Sequence, residues 1–581
     1  MLEFLSQLKQ VSDLHAIEHR ELPGLCEVLR RELIQIILQQ GGHFAGNLGV
    51  VELTVALHRV FASPSDAIVW DVGHQAYPHK MLTGRYAELP GIRRYTGISG
   101  FPKRGESIHD AFGTGHSSTA LSAALGMALA AELKNENNRT FIAVVGDGAL
   151  TGGMAFEALN QAAVSKSRLL VLVNDNNIGI DPNTGAMARM LQEMEPGRSN
   201  WFTEMGFAYH GPVDGHNVLE LVQVLQQLKE GSLPAVLHVK TIKGKGYEPA
   251  EKEQTRFHSA PAWVKLDPAQ PTKESLRFQD VFGAALCELA ALYPQVCGVT
   301  PAMPSGSGMR RAMQEYPDRF WDVGIAEQHA VTLCAGLAAE GMKPYCSVYS
   351  TFLQRGYDQL IHDVALQSLP VVFCIDRAGL VGEDGPTHHG SFDLAFLNPI
   401  PNLIIAAPRD ETHLRALMHT AALDTQLPWA IRYPRGGSGQ PMTQIEFPAS
   451  EVGKAEWLRE GSGTAILALG PLCYTAIEAA QLSETQTAVA DMRFLKPLDT
   501  DLLDAVFDCF DAVITLEDGV VKGGLASAVA SHAAARKYAG VIKHLGIPDV
   551  FPTHGSVAEL WRELGYDRDG ILAAIRSVQP I

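Results

Sequence analysis

The sequence lacks the marks of a membrane protein or a nucleic-acid-binding protein. It has no apolar run of the roughly 18 residues that a spanning helix needs, and its first ten residues show no basic stretch followed by an apolar one. It has no basic excess either, since 47 Lys and Arg stand against 64 Asp and Glu, a formal net charge of −17. These absences predict a cytoplasmic protein that binds neither nucleic acid nor a membrane. An anionic ligand would need a local cluster of arginines.

Cysteine is also scarce, and two common nucleotide-binding motifs are missing. The eight cysteines form no C-x-x-C pair and lie mostly in apolar segments, which predicts reduced core thiols rather than disulfides or a zinc site. No GxxxxGK[ST] sequence occurs, and residues 146–153, GDGALTGG, place Thr151 where a dinucleotide-binding fingerprint needs its third glycine. The sequence therefore disfavours P-loop and nicotinamide chemistry.

Short β-branched runs alternate with helical patterns throughout the chain, which is typical of parallel sheets flanked by helices. We therefore predict an α/β protein with three consecutive domains over residues 1–272, 273–450 and 451–581, each with a mostly parallel sheet. A Pro-rich and charged stretch, 248–272, reads poorly as helix or strand and should link the first two domains. The predicted strands are 67–71, 140–145, 169–173, 235–241, 296–300, 371–376, 403–407, 429–433, 464–469, 487–491, 512–516 and 541–545.

The strongest local signal is Gly-Asp-Gly at 146–148, followed by Asn-Asp-Asn at 174–176, each at the end of a predicted strand. A helix over 154–164 would connect the two strands, and a right-handed crossover would bring their ends together. The carboxylate of Asp147 and the amide oxygen of Asn176 would then suit a magnesium ion that clamps a diphosphate. The alternative for the first motif is a tight turn in which the aspartate caps the next helix.

Residues 113–119, GTGHSST, precede an apolar helical pattern. Glycines and Ser/Thr at a helix start offer backbone N–H groups and a positive dipole end to phosphate. A well-capped helix with no ligand is the alternative.

Glu327 stands where another helix should begin, in an otherwise apolar setting. A carboxyl group there would be desolvated and could share a proton with a ligand nitrogen. The alternative is a glutamate that caps or stabilises the first helical turn.

The motifs together resemble a known family. GDG with the downstream NDN and IAEQH is similar to the thiamine-diphosphate enzymes of the transketolase class. Ten ordered motifs along nearly the whole chain resemble the 1-deoxy-D-xylulose-5-phosphate synthase family more specifically. They are GGHFAGNLG, WDVGHQAYPHK, GHSSTALS, GPVDGH, KGYEPAE, IAEQHA, YSTFLQR, DRAGLVGEDGPTHHG, RYPRG and DMRFLKPLD.

The resemblance implies two thiamine-diphosphate-binding folds and a transketolase C-terminal-like domain, assembled as a homodimer. It also implies a reaction: pyruvate and D-glyceraldehyde 3-phosphate condense with loss of CO2 to 1-deoxy-D-xylulose 5-phosphate. This is the first step of the non-mevalonate isoprenoid pathway and a precursor step for thiamine and pyridoxal. The alternatives are ketol transfer as in transketolase, the first component of a pyruvate dehydrogenase, and a non-catalytic protein that binds thiamine diphosphate. The retained proton-transfer residues disfavour the last.

The cofactor residues are also implied by the resemblance. Asp147, Asn176 and the backbone carbonyl of Ile178 would hold Mg2+. Glu327 would hydrogen-bond the aminopyrimidine ring of thiamine diphosphate. The full set of cofactor-binding residues would be His74, Gly115, His116, Ser117, Gly148, Ala149, Asn176, Tyr247 and Glu327.

The same resemblance implies the catalytic and substrate residues. Glu327, His43, His258 and His388 would be catalytic, the histidines because proton transfer needs donors with a near-neutral pKa. Arg377 and Arg435 would bind the acceptor phosphate as forked cations at strand ends. The substrate-binding set would be Tyr349, Arg377, Asp384, His388 and Arg435. Without the motifs, such a histidine is usually a surface or core residue, and such an arginine usually a salt-bridge partner.

The chain departs from the family pattern at three places. The segment 189–200 is shorter, by nature or by design, than the corresponding loop of family members, although the intact flanking motifs predict that the catalytic centre survives. Gly46-Asn47 stands where relatives often have a serine. His389 replaces a more usual glutamine.

Overall fold

Three main sheets, almost wholly parallel, form the framework of the described structure. The structure is a computed structural model that describes residues 3, 5, 8, 10–231, 233–260, 276–442 and 449–578. The chain divides into one unit of Met1–Thr272 with Gly324–Ala326 and a second of Lys273–Val323 with Glu327–Ile581. The predicted α/β class is confirmed, and the three domain boundaries stay a prediction.

The first unit is built on a five-stranded sheet of order β2-β3-β4-β6-β5, in which every pair is parallel. The inner strands are apolar on both faces, as parallel strands covered by helices on each side must be. The carboxyl ends of the strands share one sheet edge, and polar residues follow them there. The strands of this unit are β1 (Gly42–His43), β2 (Ala67–Trp70), β3 (Phe141–Gly146), β4 (Leu169–Asp175), β5 (Ala208–Asp214), β6 (Ala235–Lys240) and β7 (Ser259–Ala260).

Alternate residues of β3 enter different cores. Ile142 and Val144 pack in the cluster that includes the helix Leu22–Gln40, whereas Ala143 and Val145 pack in the cluster of the helix Ala120–Leu133. This two-residue alternation places helices on both faces of the sheet. The α-helices of the unit are Leu22–Gln40, Ala45–Leu48, Val51–Val60, Tyr77–Lys80, Ala120–Leu133, Gly153–Ala162, Gly185–Glu193, Trp201–Glu204, Val218–Glu230 and Glu248–Lys252.

The short strands β1 and β7 pair antiparallel, with Gly42 opposite Ala260 and His43 opposite Ser259. The expectation of an irregular linker over 248–272 is wrong in its first part, where the helix Glu248–Lys252 and β7 form. The reason is a partner distant in sequence, which local patterning does not reveal. The remainder of that stretch, 261–272, lies outside the described residues.

The second unit contains two sheets. The larger has the order β17-β12-β13-β11-β10-β8-β9 and the smaller β14-β16-β15-β18-β19. Only β17 and β14 are antiparallel to their neighbours. The strands are β8 (Val296–Thr300), β9 (Phe320–Asp322), β10 (Lys343–Tyr349), β11 (Val372–Asp376), β12 (Ile404–Ala406), β13 (Trp429–Arg432), β14 (Glu456–Arg459), β15 (Thr464–Ala468), β16 (Thr487–Asp491), β17 (Phe494–Lys496), β18 (Ala512–Val520) and β19 (Val541–Ile547).

Helices cover both sheets of the second unit. Two begin at residues whose side chains bear on function below, namely Glu327 and Asp393. The α-helices are Phe278–Leu292, Pro304–Ser307, Arg310–Glu315, Glu327–Ala339, Ser350–Leu353, Tyr357–Gln359, Asp393–Leu397, Glu411–Leu423, Leu472–Leu482, Thr500–Cys509, Leu525–Arg536, Val557–Leu564 and Arg568–Ser577.

All twelve predicted strands are confirmed, with ends that shift by a few residues. The larger strands that the prediction missed carry weak signals: β5 contains Gly-Pro and is only partly buried, and β10 begins with Lys-Pro. All eight cysteines are free thiols and seven are buried, as expected. Among the described helices, none has the length and apolarity needed to cross a membrane.

Candidate active site

Asp147 and Asn176 lie together at one edge of the first unit's sheet. β3 and β4 are in register at Gly146 and Asn174, so their next residues leave the sheet side by side. One carboxylate oxygen of Asp147 accepts a hydrogen bond from the backbone N–H of Asn176 at 3.0 Å, and the other accepts one from Gly148 at 2.8 Å. The predicted adjacency is confirmed, and its metal-binding role stays a prediction.

The Asp147 carboxyl group is buried, and its surroundings disfavour the ionised form. Burial raises its pKa to about 6, the charge of Asp175 adds to this, and the backbone hydrogen bonds oppose it. A divalent cation would favour the ionised form, so the site fits Mg2+. The described residues contain no cluster of three or more His, Cys, Asp or Glu side chains that could hold a metal. The predicted set differs in kind, since it uses one carboxylate, one amide and one backbone carbonyl.

A cavity opens beside these residues and gathers much of the predicted cofactor site. Its lining includes His74, Asp147, Gly148, Ala149, Asn176, Ile178 and Lys243. Gly115, His116, Ser117 and Tyr247 lie outside this lining, and their predicted contacts stay a prediction.

The 113–119 segment is tied to the cavity through its neighbours. Ser118 donates its hydroxyl to the carbonyl of Ala149 at 2.7 Å. Asp71 accepts the N–H groups of Ser118 at 2.8 Å and Ala120 at 3.0 Å, so it caps the helix Ala120–Leu133 from a distant strand end. Two of the N–H groups that the sequence offered to phosphate are therefore engaged by a carboxylate.

Three histidines of the first unit form a cluster. The ring centroids lie 5.8 Å apart for His43 and His74, 6.0 Å for His43 and His258, and 5.0 Å for His74 and His258. The β1–β7 pairing makes this possible, because it brings segments more than 200 residues apart into register. Two residues predicted to be catalytic, His43 and His258, thus lie beside the predicted cofactor ligand His74.

Lys243 is a functional candidate that the sequence reasoning missed. Its buried ammonium lies 3.1 Å from Nδ1 of His258 and also donates to the carbonyl of Gly179. Burial lowers the pKa of Lys243 to about 8, against the charges of Asp147 and Asp181. When protonated, Lys243 donates to Nδ1 and so places the His258 proton on Nε2. Its position three residues beyond β6, in KGKG, was the available signal.

Asn47, noted in the sequence as a departure, links the histidine segments. Its amide nitrogen donates to the carbonyls of His43 at 2.8 Å and His74 at 2.9 Å, and its amide oxygen accepts from the N–H of Tyr77 at 2.8 Å. A Cβ at Gly46 would lie 2.9 Å from Nε2 of His74, so a serine there would require the ring to shift. The local hydrogen bonding that the sequence left open is therefore complete.

A chain of buried polar groups continues behind Asp147. Asp175 contacts Nε2 of His238 at 2.9 Å, and Nδ1 of His238 contacts the Tyr209 hydroxyl at 2.8 Å. Burial raises the pKa of Asp175, but the hydrogen bond and charge of His238, the charge of Lys240 and a hydrogen bond with Asp147 together outweigh it, so the pKa falls below its usual value. Asp175 thus stays charged close to Asp147, which strengthens the demand for a cation there.

In the second unit, Glu327 is the first residue of the helix Glu327–Ala339 and is 4% exposed. Burial raises its pKa, while Arg355, whose guanidinium lies 3.5 Å from the carboxylate, opposes the shift. The predicted desolvated carboxyl group is present. The sequence did not indicate Arg355, because the contact joins segments 28 residues apart.

Tyr349 is the last residue of β10, Arg377 follows the last residue of the neighbouring β11, and the two side chains stack. The Arg377 guanidinium lies 4.3 Å from the centre of the Tyr349 ring and donates to the carbonyl of Gly306 at 3.0 Å. Burial raises the pKa of the Tyr349 phenol, and the charges of Arg377, Arg435 and Asp384 also act on it. Three of the other four predicted substrate residues therefore lie near enough to the Tyr349 phenol to affect its pKa.

Arg435 and His388 already have partners. Arg435 is exposed, donates to the carbonyl of Val381 at 3.0 Å and forms an ion pair with Glu383 at 2.9 Å. Nδ1 of His388 lies 2.9 Å from the Thr387 hydroxyl, and its ring packs edge-on against Phe352. A phosphate at Arg435 would therefore compete with Glu383.

The comparisons with known proteins first define a class. Residues 274–439 match the family model of the transketolase pyrimidine-binding domain, and residues 453–571 match that of the transketolase C-terminal domain. Residues 5–200 and 195–241 match the model described as 1-deoxy-D-xylulose-5-phosphate synthase. The fold, the buried glutamate and the Asp147 turn thus belong to a protein of the transketolase class.

Full-length relatives narrow the class. Proteins named 1-deoxy-D-xylulose-5-phosphate synthase are 45% identical in Cytophaga hutchinsonii, over 100% of this chain and 99% of the relative, and 46% identical in Chlorobium phaeovibrioides, over 98% of each. A relative of the same name from Thioalkalivibrio sulfidiphilus is 46% identical over 99% of this chain and 95% of its own. The chain belongs to the 1-deoxy-D-xylulose-5-phosphate synthase family.

The comparisons also bear on the shortened segment. The first relative aligns over 629 positions, more than the 581 residues of this chain, so it carries residues with no counterpart here. The synthase model matches in two segments that meet at 195–200. Both findings agree with the short 189–200 segment seen in the sequence. In this region only residues 194–200 separate the helix Gly185–Glu193 from the helix that begins at Trp201.

We expect Asn47→Ala to loosen the histidine cluster. The change removes the group that joins three buried backbone positions, so it should lower the free energy of unfolding by about 1–3 kcal/mol and weaken binding of thiamine diphosphate. Thermal unfolding and a calorimetric titration with the cofactor measure the two effects. Asn137→Ala, on an exposed turn of the same unit, is the control. Unchanged cofactor affinity would show that Asn47 does not position the cofactor residues.

Proposed function

We propose that this chain condenses pyruvate and D-glyceraldehyde 3-phosphate with loss of CO2, giving 1-deoxy-D-xylulose 5-phosphate, the first step of the non-mevalonate isoprenoid pathway and a precursor step for thiamine and pyridoxal. The observation that carries the proposal is the full-length match to relatives of that name. The buried Glu327 carboxyl and the Asp147 turn support it, because a binding-only protein would not need both.

Thiamine diphosphate and Mg2+ are the cofactors of this proposal. Asp147, Asn176 and the carbonyl of Ile178 hold the cation, because a positive charge beside the buried carboxylate would offset the burial and the Asp175 charge that disfavour its ionised form. His74, Gly148 and Ala149 contact the cofactor from the same cavity. When bound, thiamine diphosphate supplies the carbon nucleophile for the ketone of pyruvate and accepts the electrons released with CO2.

Glu327 holds the proton that activates the cofactor. Burial favours the protonated carboxyl, the form that donates a hydrogen bond to a ring nitrogen, and Arg355 limits how far the pKa rises. An apolar setting keeps water from competing for this hydrogen bond.

His43, His258 and His388 are proposed to move the remaining protons. His258 has the clearest assignment, since Lys243 at Nδ1 leaves Nε2 as the proton donor. His43 is oriented by the Tyr77 hydroxyl, 3.3 Å from its Nδ1. His388 lies next to the substrate residue Asp384 in the loop that follows β11.

The phosphate of the acceptor is bound by arginines at two strand ends. Arg377 is held over Tyr349, so its guanidinium is already oriented. Arg435 donates to the loop that contains Asp384 and exchanges its Glu383 partner for phosphate. We also propose a cytoplasmic homodimer, on the resemblance to the family alone.

An NMR time course tests the function. Labelled pyruvate, glyceraldehyde 3-phosphate, Mg2+ and thiamine diphosphate are incubated with the purified chain, and we expect a deoxyketose phosphate to appear together with CO2. Ketol transfer from ketose donors without use of pyruvate would assign the chain to transketolase chemistry instead. Absence of product with both substrate sets would contradict a catalytic role.

We expect Glu327→Ala to abolish turnover while the fold remains. The variant removes the group that protonates the cofactor ring but leaves the rest of the helix intact. NMR measures turnover as product formation, and circular dichroism reports whether the fold is kept. Glu340→Ala, at the exposed residue that follows the end of the same helix, should retain activity. Near-normal turnover of Glu327→Ala would remove this residue from the mechanism.

We expect Arg435→Ala to weaken chiefly the binding of the acceptor, glyceraldehyde 3-phosphate. A charge-assisted hydrogen bond contributes about 1.5–3 kcal/mol, so the KM for glyceraldehyde 3-phosphate should rise roughly ten- to hundredfold while the KM for pyruvate changes little. Steady-state kinetics with each substrate varied measure this. Glu383→Gln is the matched control, because it removes the competing carboxylate and should not raise the acceptor KM. An unchanged acceptor KM in Arg435→Ala would place the phosphate elsewhere.

A further inference from the structure

The loop 378–390 follows β11 and carries two of the proposed substrate residues, Asp384 and His388. Its ends are joined by a pair of hydrogen bonds, from Gly379 N–H to the Gly390 carbonyl at 3.0 Å and back at 2.7 Å. Between these ends the chain leaves the sheet. Loops of this kind move unless contacts from elsewhere fix them.

The first external contact comes from β18, in the last part of the chain. Asp518, which is buried, accepts the N–H of Leu380 with both carboxylate oxygens at 3.2 Å. The hydroxyl of Tyr566, itself completely buried, donates to the same carboxylate at 3.1 Å. A Cβ at Gly379, where φ is +73°, would lie 2.2 Å from Oδ2 of Asp518, so the loop approaches this carboxylate too closely for any side chain.

The second external contact uses His389, the residue that stands in place of the usual glutamine. Its Nδ1 accepts the N–H of Val381 at 3.1 Å, and its Nε2 lies 2.8 Å from the carbonyl of Thr553. These partners fix the neutral ring with its proton on Nε2. A glutamine could make the same two contacts, with its amide oxygen accepting and its amide nitrogen donating. His389 therefore makes the two contacts that a glutamine at this position could make.

Further hydrogen bonds connect β18 to the residues just after the loop. The N–H of Val520, the last residue of β18, donates to the carbonyl of Ser391 at 2.9 Å. Arg432 donates to the backbone carbonyl of Asp518 at 2.8 Å and to the side chain of Asp393 at 3.1 Å. The loop is thus held at its beginning, its end and the residue after it by the C-terminal part of the chain.

We propose that the C-terminal part, residues 451–578, positions the acceptor-binding loop: Tyr566 acts through Asp518 on Leu380, and the Thr553 carbonyl acts through His389 on Val381. None of these groups belongs to the proposed catalytic set, so they are positioning residues. The proposal rests on the proposed function, in which Asp384, His388 and Arg435 meet the acceptor. It gives a role in the reaction to a part of the chain that contributes no proposed catalytic or substrate residue.

Tyr566→Phe tests the proposal with one lost oxygen atom. We expect the KM for glyceraldehyde 3-phosphate to rise about two- to tenfold, the effect of one hydrogen bond, with the KM for pyruvate nearly unchanged. Tyr538→Phe is the control, since it removes a tyrosine hydroxyl from the same part of the chain. That hydroxyl donates to the backbone carbonyl of Phe510 at 2.8 Å and makes no hydrogen bond to Asp518 or the loop. His389→Gln should have the acceptor KM of the parent chain. His389→Leu should raise the acceptor KM as Tyr566→Phe does.

A second readout does not depend on turnover. Hydrogen exchange followed by mass spectrometry should show faster exchange in the peptide that covers 378–390 in Tyr566→Phe and His389→Leu, and no change in Tyr538→Phe or His389→Gln. A similar acceptor KM and similar exchange in Tyr566→Phe and the parent would overturn the proposal. A rise in the pyruvate KM of the same size would overturn it too, because it would indicate a general loss of structure.

The same assay separates this proposal from the proposed function. If Arg435→Ala raises the acceptor KM and Tyr566→Phe does not, the loop contacts play no positioning role and the function stands. If neither variant moves the acceptor KM, the acceptor site itself is misassigned and both fail. If the parent chain makes no deoxyketose phosphate, the function fails, and the positioning of an acceptor fails with it.

Discussion

The Asp147 carboxylate is the group on which the site of the first unit depends. It is buried at the end of a central strand, where desolvation and the charge of Asp175 disfavour its ionised form. Backbone N–H groups of Asn176 and Asn177, in the turn after β4, compensate in part, and by doing so they fix that turn, which also carries Ile178. A bound cation would complete the balance. The residues proposed to hold Mg2+ are therefore ordered by the same electrostatic demand that would make them bind it.

The histidine cluster illustrates a different constraint. His43 and His258 lie at opposite ends of the first unit's sequence, and a two-residue strand pair joins them. Asn47 then connects His43 to the segment of His74, and Lys243 orients His258. These contacts amount to a few hydrogen bonds, yet together they hold four chain segments at one place. Proton-transfer groups need such support, since a displacement of about 1 Å can cost roughly a hundredfold in rate.

The parts of this architecture that depend on local pattern could be predicted from the sequence. The twelve strands follow from short apolar runs, and the meeting of Asp147 with Asn176 follows from strand ends separated by one crossover. The contacts of Lys243, Arg355 and Asn47 could not be predicted in this way. Each joins residues that are distant in sequence, and neither periodicity nor spacing specifies which buried polar group faces which. The β1–β7 pair was missed for the same reason, because a two-residue strand has no periodicity.

The position of β17 has a consequence for how the second unit is made. Residues Phe494–Lys496 belong to the last part of the chain, but they add the outermost strand to the sheet formed by residues before 450. Until the ribosome has released them, β12 presents an open row of backbone donors and acceptors, the kind of edge on which chains associate wrongly. A fragment that stopped near residue 450 would keep that edge permanently. The two sheets of this unit are thus coupled during synthesis, and the chain reaches a closed framework only when its C-terminal part arrives.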